Sequence, residues 1–230
     1  MKKTLLAFCV LALLSGPSAA LAASAPAAAL AETFDSLRTD LWQPVLGHSM
    51  KQGSAKVENS ELCLRSPWKE PCEVEVFSRF VLSGDFSVTA TYRTETADPD
   101  CRTNAGLVLE TADGGVSYKG YVGTAPGGGR FFRSRLDRNG VSADETVKGT
   151  AAPAEGKIRI TRKNGRLSFS TFGEGGWKTE HEFAGECVRP LGIRFKLATG
   201  GAADDYKQAC PASFCLKDLS VDYCERISDR

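Results

Sequence analysis

Asp85-Phe-Ser-Val-Thr-Ala-Thr-Tyr-Arg93 decides the fold. Phe86, Val88, Ala90 and Tyr92 occupy one set of alternate positions, and Ser87, Thr89, Thr91 and Arg93 the other. A repeat of two places the first set on one side of an extended strand and the second on the other, so one side is buried and one meets water. The same alternation continues on both sides of this stretch. Val74, Val76 and Phe80 face inward from Glu73 to Phe80, with Glu73, Glu75 and Arg79 opposite. Ala105 to Thr111 holds a compact apolar run and reads as a strand buried on both faces. Ile158 and Ile160 alternate with Lys157 and Arg159, then Leu167 and Phe169 resume after Asn164-Gly165. Asn-Gly between alternating runs marks a hairpin, because its positive φ angles match the twist of the flanking strands.

Turn signals recur at Asp113-Gly-Gly115, Gly127-Gly-Gly129 and Asn139-Gly140. Strands also fit Val57 to Arg65, Val116 to Val122, Arg130 to Asp137, Leu191 to Leu197 and Leu216 to Tyr223. About a dozen short strands at this spacing predict an all-β sandwich or barrel. No linker divides the run, so residues 33–225 are expected to form one domain, with a tail at 226–230.

Residues 1–22 read as a secretory signal. Lys2 and Lys3 precede an apolar run from Leu5 to Leu14, and Ala20-Leu-Ala22 offers a cleavage site before Ala23. The run is too short to span a bilayer; an uncleaved N-terminal anchor is the rival reading. Residues 23–32 are alanine-rich and are expected to be a flexible leader, with a short helix as the alternative. The expected location is the periplasm or the exterior. The full chain of 230 residues carries a formal charge of +1, which becomes −1 once Lys2 and Lys3 leave. Interspersed charge of that size gives no basic stripe for nucleic acid, and no transmembrane segment is expected after cleavage.

Seven cysteines follow the signal, and an oxidising compartment favours disulfides. Cys63 and Cys72 flank a proline-containing turn, as do Cys210 and Cys215, so each pair suits a local bridge. The spacing leaves the full connectivity open. It is a poor match to a zinc site, which favours close cysteine pairs or cysteines with histidines.

Gly84 to Arg93 leading into Asn104-Ala-Gly-Leu-Val-Leu-Glu110 resembles the concanavalin A-like lectin/glucanase superfamily, in its laminin-G-like branch. So do Gly156 to Ser170 with Gly173-Glu-Gly-Gly-Trp-Lys178, and Leu191-Gly-Ile-Arg-Phe-Lys196, together with Phe34-Asp-Ser-Leu37 and Trp42. The resemblance covers roughly residues 33–224. It implies an antiparallel two-sheet jelly roll, a scaffold that commonly holds glycans or proteins. The hydrolase branches of this superfamily carry acidic residues spaced Glu-x-Asp-x-x-Glu or Glu-x-Asp-x-Glu on one strand, and no such run occurs here.

Glycoside hydrolysis needs two carboxyl groups flanking the scissile bond. Glu73 and Glu75 form the best pair available, with Cβ atoms roughly 7 Å apart by strand rise, but the simpler reading is a solvated charged face beside Arg79 and Lys69. A nucleophile with a histidine base has only His48 and His181 to draw on, and no G-x-S-x-G elbow is present. Calcium is the one cofactor the loops suggest. Asp98, Asp100 and Asn104 offer oxygen donors in one segment and Asp204 and Asp205 in another, fewer than the six to eight that calcium takes. Sugar binding pairs an aromatic plate with planar polar side chains. Phe131, Arg133 and Arg135 share one strand face, Tyr121 lies on the preceding strand, and Trp177 sits beside a glycine-rich turn. These residues point to an exported, non-catalytic module that binds a glycan or glycoconjugate. A glycoside hydrolase on the same scaffold and a protein-binding or structural envelope module are the alternatives.

Overall fold

A computed structural model describes residues 28–46, 53–67, 70–96, 100–125, 127, 129–200, 209–224 and 226–229. These residues contain strands, turns and loops but no helix, and so none long and apolar enough to cross a membrane. Two antiparallel sheets account for the strands.

The first sheet holds β1 (Ala28–Glu32), β3 (Ser54–Glu58), β4 (Glu61–Ser66), β6 (Phe86–Thr96), β11 (Glu155–Lys163), β12 (Arg166–Gly173), β13 (Gly176–Glu182) and β15 (Ala212–Cys224). Its order is β13-β12-β11-β6-β15-β4-β3, with β1 beside β15. The second holds β2 (Trp42–Leu46), β5 (Cys72–Ser83), β7 (Thr103–Thr111), β8 (Val116–Ala125), β9 (Gly129–Arg138), β10 (Val141–Ala151), β14 (Leu191–Thr199) and β16 (Arg226–Asp229). Its order is β10-β9-β8-β7-β14-β5-β16, with β2 beside β5. The chain passes repeatedly from one sheet to the other, among other places between β5 and β6, β13 and β14, and β14 and β15. The result is the expected two-sheet jelly roll.

The alternation in the opening stretch maps directly onto this sandwich. Phe86, Val88, Ala90 and Tyr92 are buried against the other sheet. Ser87 and Thr89, on the outer side, are also buried, because Thr161 and Arg159 of neighbouring β11 hydrogen-bond to them. Ala105 to Leu109 is buried on both faces, as its unbroken apolar run predicts. Both Asn-Gly turns adopt positive φ at each residue, as a type I′ hairpin requires.

Gly120 shows how closely the layers meet. A Cβ there would lie 2.3 Å from the Phe169 ring of β12. Gly120→Ala is therefore expected to cost about 1–3 kcal/mol, as overpacking does. Wild-type stability of that variant in urea unfolding would contradict this contact.

Three expectations need correction. Ala28–Glu32 is not a flexible leader but a strand paired with β15. The buried Glu32 carboxylate accepts hydrogen bonds from Phe34 N and, at 3.3 Å, Trp42 Nε1. It thereby anchors the aromatic cluster of Phe34, Trp42, Phe80 and Phe195. Arg226–Asp229 is not a tail but a strand paired with β5. The disulfides are not local. Cys63 bonds Cys215, its cross-strand neighbour between β4 and β15, and Cys101 bonds Cys210. Cys72 lies buried outside both bridges, with Cys187 and Cys224. Sequence neighbours made the wrong pairs because strand pairing carries Cys63 across to Cys215, a partner 152 residues away.

Candidate functional site

The outward face of the second sheet gathers most of the residues that sequence singled out. On β5 the outward positions are Glu73, Glu75 and Phe77, followed by the exposed Arg79. In register beside them on β14 stand Lys196, opposite Glu75, and Arg194, opposite Phe77. Register then carries the row from Lys196 through Gly106 and Tyr121 to Arg133, and from Arg194 through Val108 and Lys119 to Arg135. Phe131 lies on the same face, its ring where a Cβ on Gly123 would collide at 2.7 Å. Glu73, Glu75, Tyr121, Phe131, Arg133 and Arg135 thus share one surface.

The charges on that surface are matched. Lys196 Nζ lies 2.6 Å from Glu73 and 3.2 Å from Glu75. Arg194 bridges Glu75 at 3.1 Å and Glu110 at 2.5 Å. Further along, Lys119 pairs with Asp137 at 2.5 Å, Arg135 pairs with the same carboxylate, and Arg133 pairs with Glu145 at 2.8 Å. The sequence could not supply Arg194, Lys196 and Glu110 as partners, because β14 lies between β5 and β7 only in the folded sheet.

Burial raises the Glu75 carboxyl above its ordinary value, and the neighbouring Glu73 adds to the rise against the opposing pull of Arg194 and Lys196. Burial acts the same way on Glu73, but Lys196 outweighs it and holds that carboxyl low. Asp137 is also held low: Lys119 and Arg135 overcome its burial. Desolvation lowers Lys119 and raises Tyr121. The signs set the acid behaviour. Stability from Asp137 and Glu73 is present above about pH 4 and is lost as pH falls through their depressed folded values. Glu75 acts oppositely, adding stability on acidification that is lost as pH rises through its raised value. Urea unfolding from pH 6 to pH 2 should show a net fall beginning below about pH 4; a flat profile would contradict these pairings.

A groove of ≈ 550 Å³ opens on β5 at this face, lined by Gln43 and Val45 of β2, by Glu73, Glu75, Phe77, Ser78 and Arg79, and by Arg194. The Arg194 guanidinium lies 5.2 Å from the Phe77 ring centroid. The third outward place after Glu73 and Glu75 therefore holds an aromatic ring and not a carboxylate.

Trp177 is elsewhere, on β13 of the first sheet. The Arg159 guanidinium lies over one face of its ring at 3.7 Å and Phe172 meets it edge-on at 5.3 Å. Of the calcium candidates, Asp98, Asp204 and Asp205 lie outside the described residues. Asp100 accepts the Gly127 N–H at 2.9 Å, and Asn104 sits on β7. Glu61, Cys63 and Cys215 cluster closely enough to suggest a metal site, but the Cys63–Cys215 bridge removes both thiolates as ligands. His181 is flanked by Ser134 Oγ at Nδ1, 2.7 Å away, and by Asp144 at Nε2, 3.0 Å away. Ser134 is only 2% exposed on the inner face of β9, where no substrate carbonyl reaches it. These three residues clasp β13 to β9 and β10, with the Ala184 N–H also donating to Asp144.

No protein-family model matches the chain, and no curated protein matches it. Solved structures do. One described with endo-acting O-glycanases of the human gut microbiota aligns with a TM-score of 0.66 at 13% identity, over 85% of this chain and 98% of that one. The Bacillus licheniformis β-glucanase aligns with a TM-score of 0.61 at 15% identity, over 86% and 99%. An immunostimulatory antigen and pseudo β-1,3-glucanase of Mycobacterium tuberculosis aligns with a TM-score of 0.63 at 13% identity, over 84% and 97%. At these identities the likeness is one of fold alone: the chain has the two-sheet antiparallel jelly-roll architecture of the concanavalin A-like type.

Proposed function

We propose that this protein is an exported module that binds a glycan or glycoconjugate without cleaving it, through the β5 groove and the adjoining outward face. The lining of that groove carries the reading. Phe77 offers a ring for the C–H face of a sugar, and Gln43, Glu73 and Arg194 offer planar donors and acceptors for hydroxyls. Both carboxylates lean on cations of β14, and the next place on the strand is Phe77, so no further carboxyl from β5 flanks a bond. The glycan-related names of the structural neighbours support the ligand class, and two disulfides fit an oxidising compartment.

On a glycan array, with and without calcium, the mature chain is expected to retain a defined subset of glycans. Phe77→Ala should weaken that binding at least tenfold, the order of loss when a stacked ring is removed. Trp177→Ala, on the opposite sheet, should leave it unchanged. A blank array under both conditions would overturn the proposal. The hydrolytic alternative has one observation in its favour, the opposite displacement of Glu73 and Glu75, which is how paired carboxyls divide acid and base roles.

A further inference from the structure

Every cation of the outward face described above faces a carboxylate, with one exception. Lys196, Arg194, Lys119, Arg135 and Arg133 are each ion-paired. Arg79 is not. Its side chain is exposed at one end of the β5 groove and makes no ion pair among the described residues. Its backbone is fixed, since Arg79 N donates to Leu41 O at 2.8 Å, so the guanidinium projects from a held strand. Along the groove floor the order is Glu73, Glu75, Phe77, Arg79, which spans roughly 20 Å of strand rise and suits a short oligosaccharide. The Glu73 and Glu75 carboxylates at the other end are engaged by Lys196 and by Arg194, which Glu110 shares. The cation with no carboxylate partner among the described residues therefore sits at the Arg79 end, next to the Phe77 ring and the Gln43 amide.

We infer that the groove selects an acidic glycan, with a hexuronate carboxylate on Arg79 and its sugar ring against Phe77. This rests on the glycan-binding reading and specifies its ligand. A guanidinium pairs a planar carboxylate through two parallel N–H donors, which a neutral hydroxymethyl group cannot accept equally. Gln43, exposed on the adjacent strand, then meets the ring hydroxyls.

The test is calorimetric titration of the mature protein with an α-1,4-linked galacturonate trisaccharide, its carboxyl-reduced counterpart and a sulfated version of the latter. The uronate is expected to bind at least tenfold more tightly than the reduced sugar. Arg79→Gln should erase that difference, Arg79→Lys should keep only part of it, and high salt should shrink it. If wild type binds the reduced sugar as tightly as the uronate, and Phe77→Ala weakens both, the acidic preference is wrong while the glycan groove stands. Tighter binding of the sulfated sugar than of the uronate would overturn the carboxylate assignment. Heat from none of the three would overturn the inference, and a blank array besides would remove the groove reading with it.

Discussion

Arg162→Ala should lower the stability of this protein by about 3–5 kcal/mol, more than a typical single substitution. Arg162 lies on β11 and is only 1% exposed, yet among the described residues no carboxylate hydrogen-bonds to it. Its guanidinium donates instead to backbone carbonyls: Gly84 O, Arg189 O at 2.6 Å and Leu82 O at 3.5 Å. It also lies over the Phe86 ring, 4.5 Å from the centroid. Those carbonyls belong to the end of β5, to the β5–β6 connection and to the approach to β14, where the chain changes sheet. One side chain therefore ties the end of β5, the turn after it and the approach to β14 together, and burial lowers its proton affinity. Alanine removes those donors and opens a cavity as well. Methionine separates the two effects by restoring volume without donors, so Arg162→Met should recover only part of the loss. Urea unfolding of both variants provides the check. Stability within about 1 kcal/mol of wild type in the methionine variant would show that the carbonyls do not depend on the guanidinium.

The second large effect concerns the covalent link between β4 and β15. The Cys63→Ala/Cys215→Ala double variant is expected to lose about 2–5 kcal/mol, chiefly because the unfolded chain regains the freedom of a long closed loop. The loop joins residues 152 apart in sequence. For a domain of this size that loss corresponds to a melting temperature lower by roughly 5–20 °C. Peptide mapping of the unreduced protein tests the pairing itself, which should yield Cys63 linked to Cys215 and Cys101 linked to Cys210. Fragments joining Cys63 to Cys72 would restore the local pattern expected from spacing. Unchanged melting of the double variant would show that strand pairing alone already restrains these strands.

The contrast between what could and could not be read from the sequence follows from distance along the chain. Alternation is a local property, so Phe86 to Tyr92, Ile158 to Ile160 and the Asn164-Gly165 turn reveal strands and faces without knowledge of their neighbours. It also placed Glu73 and Glu75 together, and Phe131 with Arg133 and Arg135. Cross-strand register is a long-range property. Nothing near Glu75 announces that Arg194 and Lys196 will stand beside it, 119 and 121 residues later. The same gap hid the partners of Cys63 and Cys101, and it hid that Trp177 stands on the other sheet from Phe131, Arg133 and Arg135. Ala28–Glu32 escaped notice because alanines carry too little contrast to show a buried side. Its strand character comes from pairing with β15.

In the proposed function the β5 carboxylates serve as part of a binding floor, held by the cations of β14. Mass spectrometry of an oligosaccharide selected on the array, incubated overnight with stoichiometric protein, addresses this directly. The prediction is a sugar recovered intact with wild type and with Glu73→Gln alike. Shorter products that appear with wild type and vanish with Glu73→Gln would show that the pair performs hydrolysis, and the non-catalytic reading would be wrong.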